Sequence, residues 1–166
     1  MARPLSTAGA LAIGTLAVGV LDILDAFLFF GLRGAQPVGI LQSIASGVLG
    51  RAAYQGGLRT AALGLLLHFV IAFGVVATYF VATRLVPALN RRPWVYGLLY
   101  GLVVYTVMNL VVVPLSAAAL GSGPTPLVVR VNGVLIHMFG VGLPAALAAA
   151  RVGVRPPRGL GSGRES

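Results

Sequence analysis

Cysteine is absent from this chain, and so is lysine: all twelve basic residues are arginine. Without a thiol there is no disulfide, thiolate metal site, iron–sulfur cluster or thiol nucleophile, and the redox compartment leaves no trace. Carboxylates are almost missing too, with Asp and Glu totalling three in 166 residues. Charged residues make up 9% of the chain, against about 25% in soluble domains. Also lacking are a Gly-rich phosphate loop, a Gly-x-Ser-x-Gly elbow and a His-Glu-x-x-His helix. Ser43, Ser46 and Ser116 read as helix-surface or helix-end hydroxyls, and no serine sits level with a histidine. Catalysis on a soluble substrate is not expected.

What fills the chain instead is apolar: 58% hydrophobic residues and a mean hydropathy of +0.96. A water-soluble fold this apolar cannot cover its surface with polar groups, so a lipid bilayer is the expected solvent. The formal charge of +9 does not point to nucleic acid, because the arginines fall between apolar runs rather than along one face. Arg3 precedes an apolar stretch that resembles a secretory signal. The stretch continues to Phe30 without a small-x-small cleavage site, which reads as an uncleaved first helix.

The expected fold is an all-α integral membrane protein, a four-transmembrane-helix bundle. The spans are about 8–30, 61–86, 95–114 and 127–150, each at or above the roughly 20 residues needed to cross. Trp94 and Tyr96 anchor the third span at an interface. Pro87 and Pro93 bracket a turn short enough to force an antiparallel hairpin between spans two and three. With the N-terminus in the cytoplasm, Arg3, Arg84, Arg91, Arg92, Arg151, Arg155, Arg158 and Arg164 lie inside. Arg33, Arg51, Arg59 and Arg130 lie outside. The positive-inside rule therefore places both termini in the cytoplasm. Between spans one and two, Ile40, Leu41, Ile44, Ala45, Val48, Leu49 and Ala52 recur at helical spacing behind Pro37. This predicts an external amphipathic helix over about 37–55, lying in the outer interface or capping the bundle. Residues 151–166, rich in Pro and Gly, are expected to form a disordered cytoplasmic tail. Glycines recur within the spans and allow close helix approach.

Asp22 and Asp25 lie three residues apart on one face of the first span. His68 lies in the second span, Tyr105 and Asn109 in the third, and His137 in the fourth. Charge at the bilayer centre costs about 2.5–3.5 kcal/mol on insertion scales, so these groups should face the bundle interior or water. At 1.5 Å per residue, the two Asp lie roughly 8–12 Å from the outer end, Asn109 about 8 Å, His68 about 12 Å and His137 about 15 Å. That shared depth in the outer half of the membrane predicts one composite site. Gly64-Leu-Leu-Leu-His68 and Gly133-Val-Leu-Ile-His137 also match on two parallel spans, as a weak repeat would.

Four readings of the cluster are open. It can be a structural network fixing helix register. It can bind protons or a small ion in a transporter, channel or pH sensor, since imidazole titrates near neutrality. It can ligate haem b through His68 and His137, with Arg59 and Arg130 on the propionates and Gly64 and Gly133 leaving room for the macrocycle, or hold a divalent metal through the His and Asp set. It can be incidental to an accessory subunit of a larger membrane complex or homo-oligomer. Proton or small-ion handling is the reading adopted, with Asp22 and Asp25 as acceptors, His68 and His137 as titrating groups, and Asn109 and Tyr105 as orienting partners.

The stretches Leu63-Gly-Leu-Leu-Leu-His68-Phe-Val-Ile-Ala-Phe-Gly74, Tyr96-Gly-Leu-Leu-Tyr-Gly101, Met108-Asn-Leu-Val-Val-Val-Pro114-Leu-Ser116 and Gly133-Val-Leu-Ile-His137-Met resemble the YagU-like family of bacterial inner-membrane proteins. The resemblance covers about residues 11–151. It implies a four-helix inner-membrane protein without an assigned biochemical activity, in which His68 and His137 match histidines of the family pattern. Asn109 stands where some members carry a third His, so the resemblance brings no three-His metal site to this chain. Asp22 and Asp25 are not matched in all members.

Overall fold

Apolar runs bounded by glycine and proline become helices in the computed structural model, which describes residues 5–118 and 124–152. The readings for Arg3 and for tail residues 153–166 lie outside the described residues. Ser6 caps the first helix, α1 (Thr7–Gly31), by accepting the Gly9 N–H at 3.1 Å. α2 (Pro37–Leu49) begins with proline at its first turn, where the missing N–H costs nothing. A 3₁₀ turn, Gly50–Gln55, continues it. α3 runs Gly57–Leu85, α4 Pro93–Leu115 and α5 Leu127–Ala150. Residues 87–90 form a 3₁₀ turn between α3 and α4. α1, α3, α4 and α5 are long and apolar enough to cross a membrane.

α3 begins at Gly57 rather than Ala61. Gly57 takes φ of +56°, a value that a side chain disfavours, and Thr60 turns its hydroxyl back to Ala53 O and Gly57 O. Those bonds start the helix before the apolar run does.

The two halves of the bundle differ. At the end where the Leu5 N–H bonds Arg151 O, the helices are closely packed. Val76, Tyr79 and Phe80 of α3 pack there with Ala145, Ala146, Ala148 and Ala149 of α5 and Ala10 of α1. Small alanines let the backbones come close. At the other end the helices diverge. α4 leans on α5, where Gly97 and Gly101 face the backbone of Gly142 and His137 so tightly that a Cβ would overlap it. Its link to α3 is at Tyr100, whose hydroxyl donates to Val75 O at 2.7 Å and whose ring meets Tyr79 at 4.9 Å.

α4 and α5 each carry one π turn, Met108–Val112 and His137–Gly142. Each precedes a proline, Pro114 and Pro144. A proline ring strikes the carbonyl four residues back (Leu110 and Gly140), and a widened turn relieves the clash.

α2 caps the bundle. Its buried residues Ile40, Gln42, Ala45 and Ser46 face inward, and Gly64 of α3 receives the Leu41 backbone. The Gln42 amide donates to Gly57 O at 3.0 Å, which no interfacial helix lying flat would arrange. The far end of α2 is tied to the end of α4 by the Ala117 N–H donating to Gly47 O at 2.9 Å.

Candidate functional site

Between the diverging helices and the α2 cap lies a cavity of about 600 Å³. Asp22 and Asp25 of α1, His68 of α3, Tyr105 and Asn109 of α4 and His137 of α5 all line it, together with Ser43 of α2 and Asn132 of α5. Its remaining walls are apolar, including Val18, Ile40, Ile71, Val104 and Met108. Close packing of the Ala-rich half closes it toward the termini.

His68 is the most buried polar group of the set, its side chain 10% exposed. Nε2 lies 2.8 Å from Gly19 O. A carbonyl only accepts, so Nε2 carries a proton and donates. Nδ1 then points to Asp22 Oδ2, 3.9 Å away, beyond hydrogen-bond reach. In the neutral imidazole Nδ1 is a lone pair, so two acceptors face each other across that gap. Asp22 also lies within electrostatic range of His137 and Asp25.

His137 repeats the pattern. Its Nδ1 lies 2.8 Å from Gly133 O, one turn back on its own helix, which makes Nδ1 the donor and leaves Nε2 as an acceptor. The Tyr105 ring meets the imidazole edge-on at 5.5 Å and covers Gly133. Asp25 accepts from Asn132 Nδ2 at 2.8 Å rather than meeting a histidine.

The chain matches no family model, no curated protein and no solved structure. The resemblance to the YagU-like family is neither supported nor contradicted by that result, and the site stands on its geometry.

Several expectations need correction. The Asn109 amide donates to Tyr105 O within its own helix at 2.9 Å, so it orients no histidine. The room expected for a macrocycle beside Gly64 and Gly133 is not there: the face of Gly64 is filled by the Leu41 backbone and that of Gly133 by the Tyr105 ring. Arg59 and Arg130 do not line the cavity. Arg59 is exposed, and Arg130 turns its Nε to Thr125 O at 3.0 Å. A divalent metal fits no better. Among the described residues no three of the His, Asp and Glu side chains converge as ligands.

Sequence reasoning missed Asn132. The signal was an amide inside an apolar span, hidden by its position beside Arg130 near the span's end.

Proposed function

We propose that this chain is a multi-pass protein of the bacterial inner membrane, with both termini cytoplasmic, whose Asp22–His68 pair binds and releases protons. Exposed Leu16, Leu66, Leu110 and Leu115 on the outward faces of the helices support a lipid surrounding. The observation that carries the proton reading is the 3.9 Å gap between His68 Nδ1 and Asp22 Oδ2. One proton turns that acceptor–acceptor contact into a donor–acceptor pair, an ion pair when the imidazole holds it and a neutral hydrogen bond when the carboxyl does. His137 and Asp25 line the same cavity. The apolar walls keep bulk water from screening these charges. The packed half of the bundle argues against a continuous channel and favours a site loaded from one side.

Proton uptake by the purified protein tests this. On a downward pH jump, an indicator dye should record uptake by the wild type that Asp22→Asn diminishes and His137→Ala alters. Equal uptake by wild type and Asp22→Asn would overturn the reading. In proteoliposomes holding a pH dye, dissipation of an imposed gradient by wild type but not Asp22→Asn identifies a carrier, and retention of the gradient identifies a sensor.

A further inference from the structure

The cavity is far larger than a proton site needs. A volume of about 600 Å³ falls in the range of small-molecule pockets, about 300–1,000 Å³. Its hydrogen-bond chemistry is lopsided. Most of its donors are spent within the protein: Asn109 Nδ2 to Tyr105 O, Ser43 Oγ to Ile40 O, Asn132 Nδ2 to Asp25, His68 Nε2 to Gly19 O and His137 Nδ1 to Gly133 O. The Tyr105 and Thr125 hydroxyls also line it, and these accept as readily as they donate. The rest of the open capacity is acceptor: the Asp22 and Asp25 carboxylates, the lone pair on the nine-tenths-buried His68 Nδ1, and His137 Nε2. No arginine supplies the missing donor. Arg33 turns to Phe29, its guanidinium 3.7 Å from the ring centroid and bonded to the Phe29 carbonyl, and Arg130 bonds Thr125 O.

A second, apolar groove of about 340 Å³ lies between α3 and α4, where the helices part beyond Tyr100. Ile71, Val75, Val104 and Met108 line both spaces, so only these side chains stand between the two. The groove's other walls, Val103, Val107 and Val112, are exposed on the outward side of α4.

We propose that the cavity binds a small primary ammonium ion with an apolar body, which enters from the lipid side between α3 and α4. The N–H donors bridge His68 Nδ1 and the Asp22 and Asp25 carboxylates, and the hydrocarbon lies against Ile71, Val75 and Met108. A quaternary ammonium offers charge but no donor, and an alcohol of the same length has no charge. Neither satisfies the acceptors as a protonated amine does. The inference rests on the proton reading in one respect: ammonium and proton compete for the same lone pairs. The groups facing the ligand are Asp22 and Asp25 from α1, His68 from α3, Tyr105 from α4 and His137 from α5, with α2 contributing the neutral Ser43. Protonating these acceptors therefore weakens amine binding.

Calorimetric titration of the full-length protein in detergent tests this with hexylammonium, hexyltrimethylammonium and 1-hexanol. The expected result is saturable binding of hexylammonium alone, weakened at least tenfold in Asp22→Asn and in Asp25→Asn, each nearly isosteric. Equal binding of all three compounds would show apolar partition and overturn the proposal. Equal binding of the two cations would show that no donor is read, and overturn it as well. These comparisons use wild type and do not depend on a variant folding. The two readings fail separately. Proton uptake without hexylammonium binding removes the amine and leaves the proton site. Hexylammonium binding that does not change with pH, in a protein without proton uptake, removes the proton site and leaves the amine pocket.

Discussion

At His68 the decisive matter is which ring nitrogen meets a carbonyl. Because Gly19 O fixes the proton on Nε2, the nitrogen facing Asp22 is the one free to change state. Asp25 differs, since Asn132 already satisfies one of its oxygens. Removing that amide leaves a half-buried carboxylate short of a donor, a loss of about 1–3 kcal/mol. Asn132→Ala should therefore lower the unfolding free energy by that amount, and a double-mutant cycle with Asp25→Asn should show coupling above about 0.5 kcal/mol. Additive effects would mean that the bond contributes nothing. Asp22, Asp25, His68 and His137 were legible in the sequence because ionisable groups in apolar spans are rare and costly. The Asp25–Asn132 bond was not, because span position gives depth but not the partner around the helix circumference. The commitment of Nε2 to Gly19 was equally hidden, since backbone carbonyls leave no mark in a sequence.

Among the helices, glycine sets how near two axes come, and its effect depends on the neighbour. Gly101 and Gly142 meet backbone across the α4–α5 contact, while Gly74 has open space around its missing Cβ. Gly101→Ala and Gly142→Ala should each destabilise by about 1–3 kcal/mol through overpacking. Gly74→Ala should be neutral or gain up to about 1 kcal/mol from helix propensity. Unfolding in denaturing detergent measures all three, and equal losses would refute the contact assignment. The sequence displayed the glycines and the amphipathic period of α2. It left open whether α2 lies in the interface or caps the bundle, because an apolar face suits lipid and a neighbouring helix alike; buried Gln42 favours the cap. Nor were the π turns legible, although Pro114 and Pro144 mark where they arise.

For the whole molecule, the four apolar helices were legible from run length alone, while the cavity was not. It exists because α4 packs on α5 and touches α3 near Tyr100, a balance of contacts that hydropathy cannot encode. The absence of cysteine makes topology direct to test. Ser6→Cys should react with an impermeant maleimide only after cells are permeabilised, whereas Gln36→Cys should react in intact cells. The opposite pattern would invert the orientation and place the cavity in the cytoplasmic half. The account as a whole hangs on where one proton sits. Nitrogen-15 NMR of His68 in the membrane-embedded protein reads that directly. Nε2 should carry the proton that Gly19 O accepts, and Asp22→Asn should move the Nδ1 signal while leaving Nε2 in place. A bare Nε2, or an Nδ1 signal indifferent to Asp22→Asn, would contradict this reading.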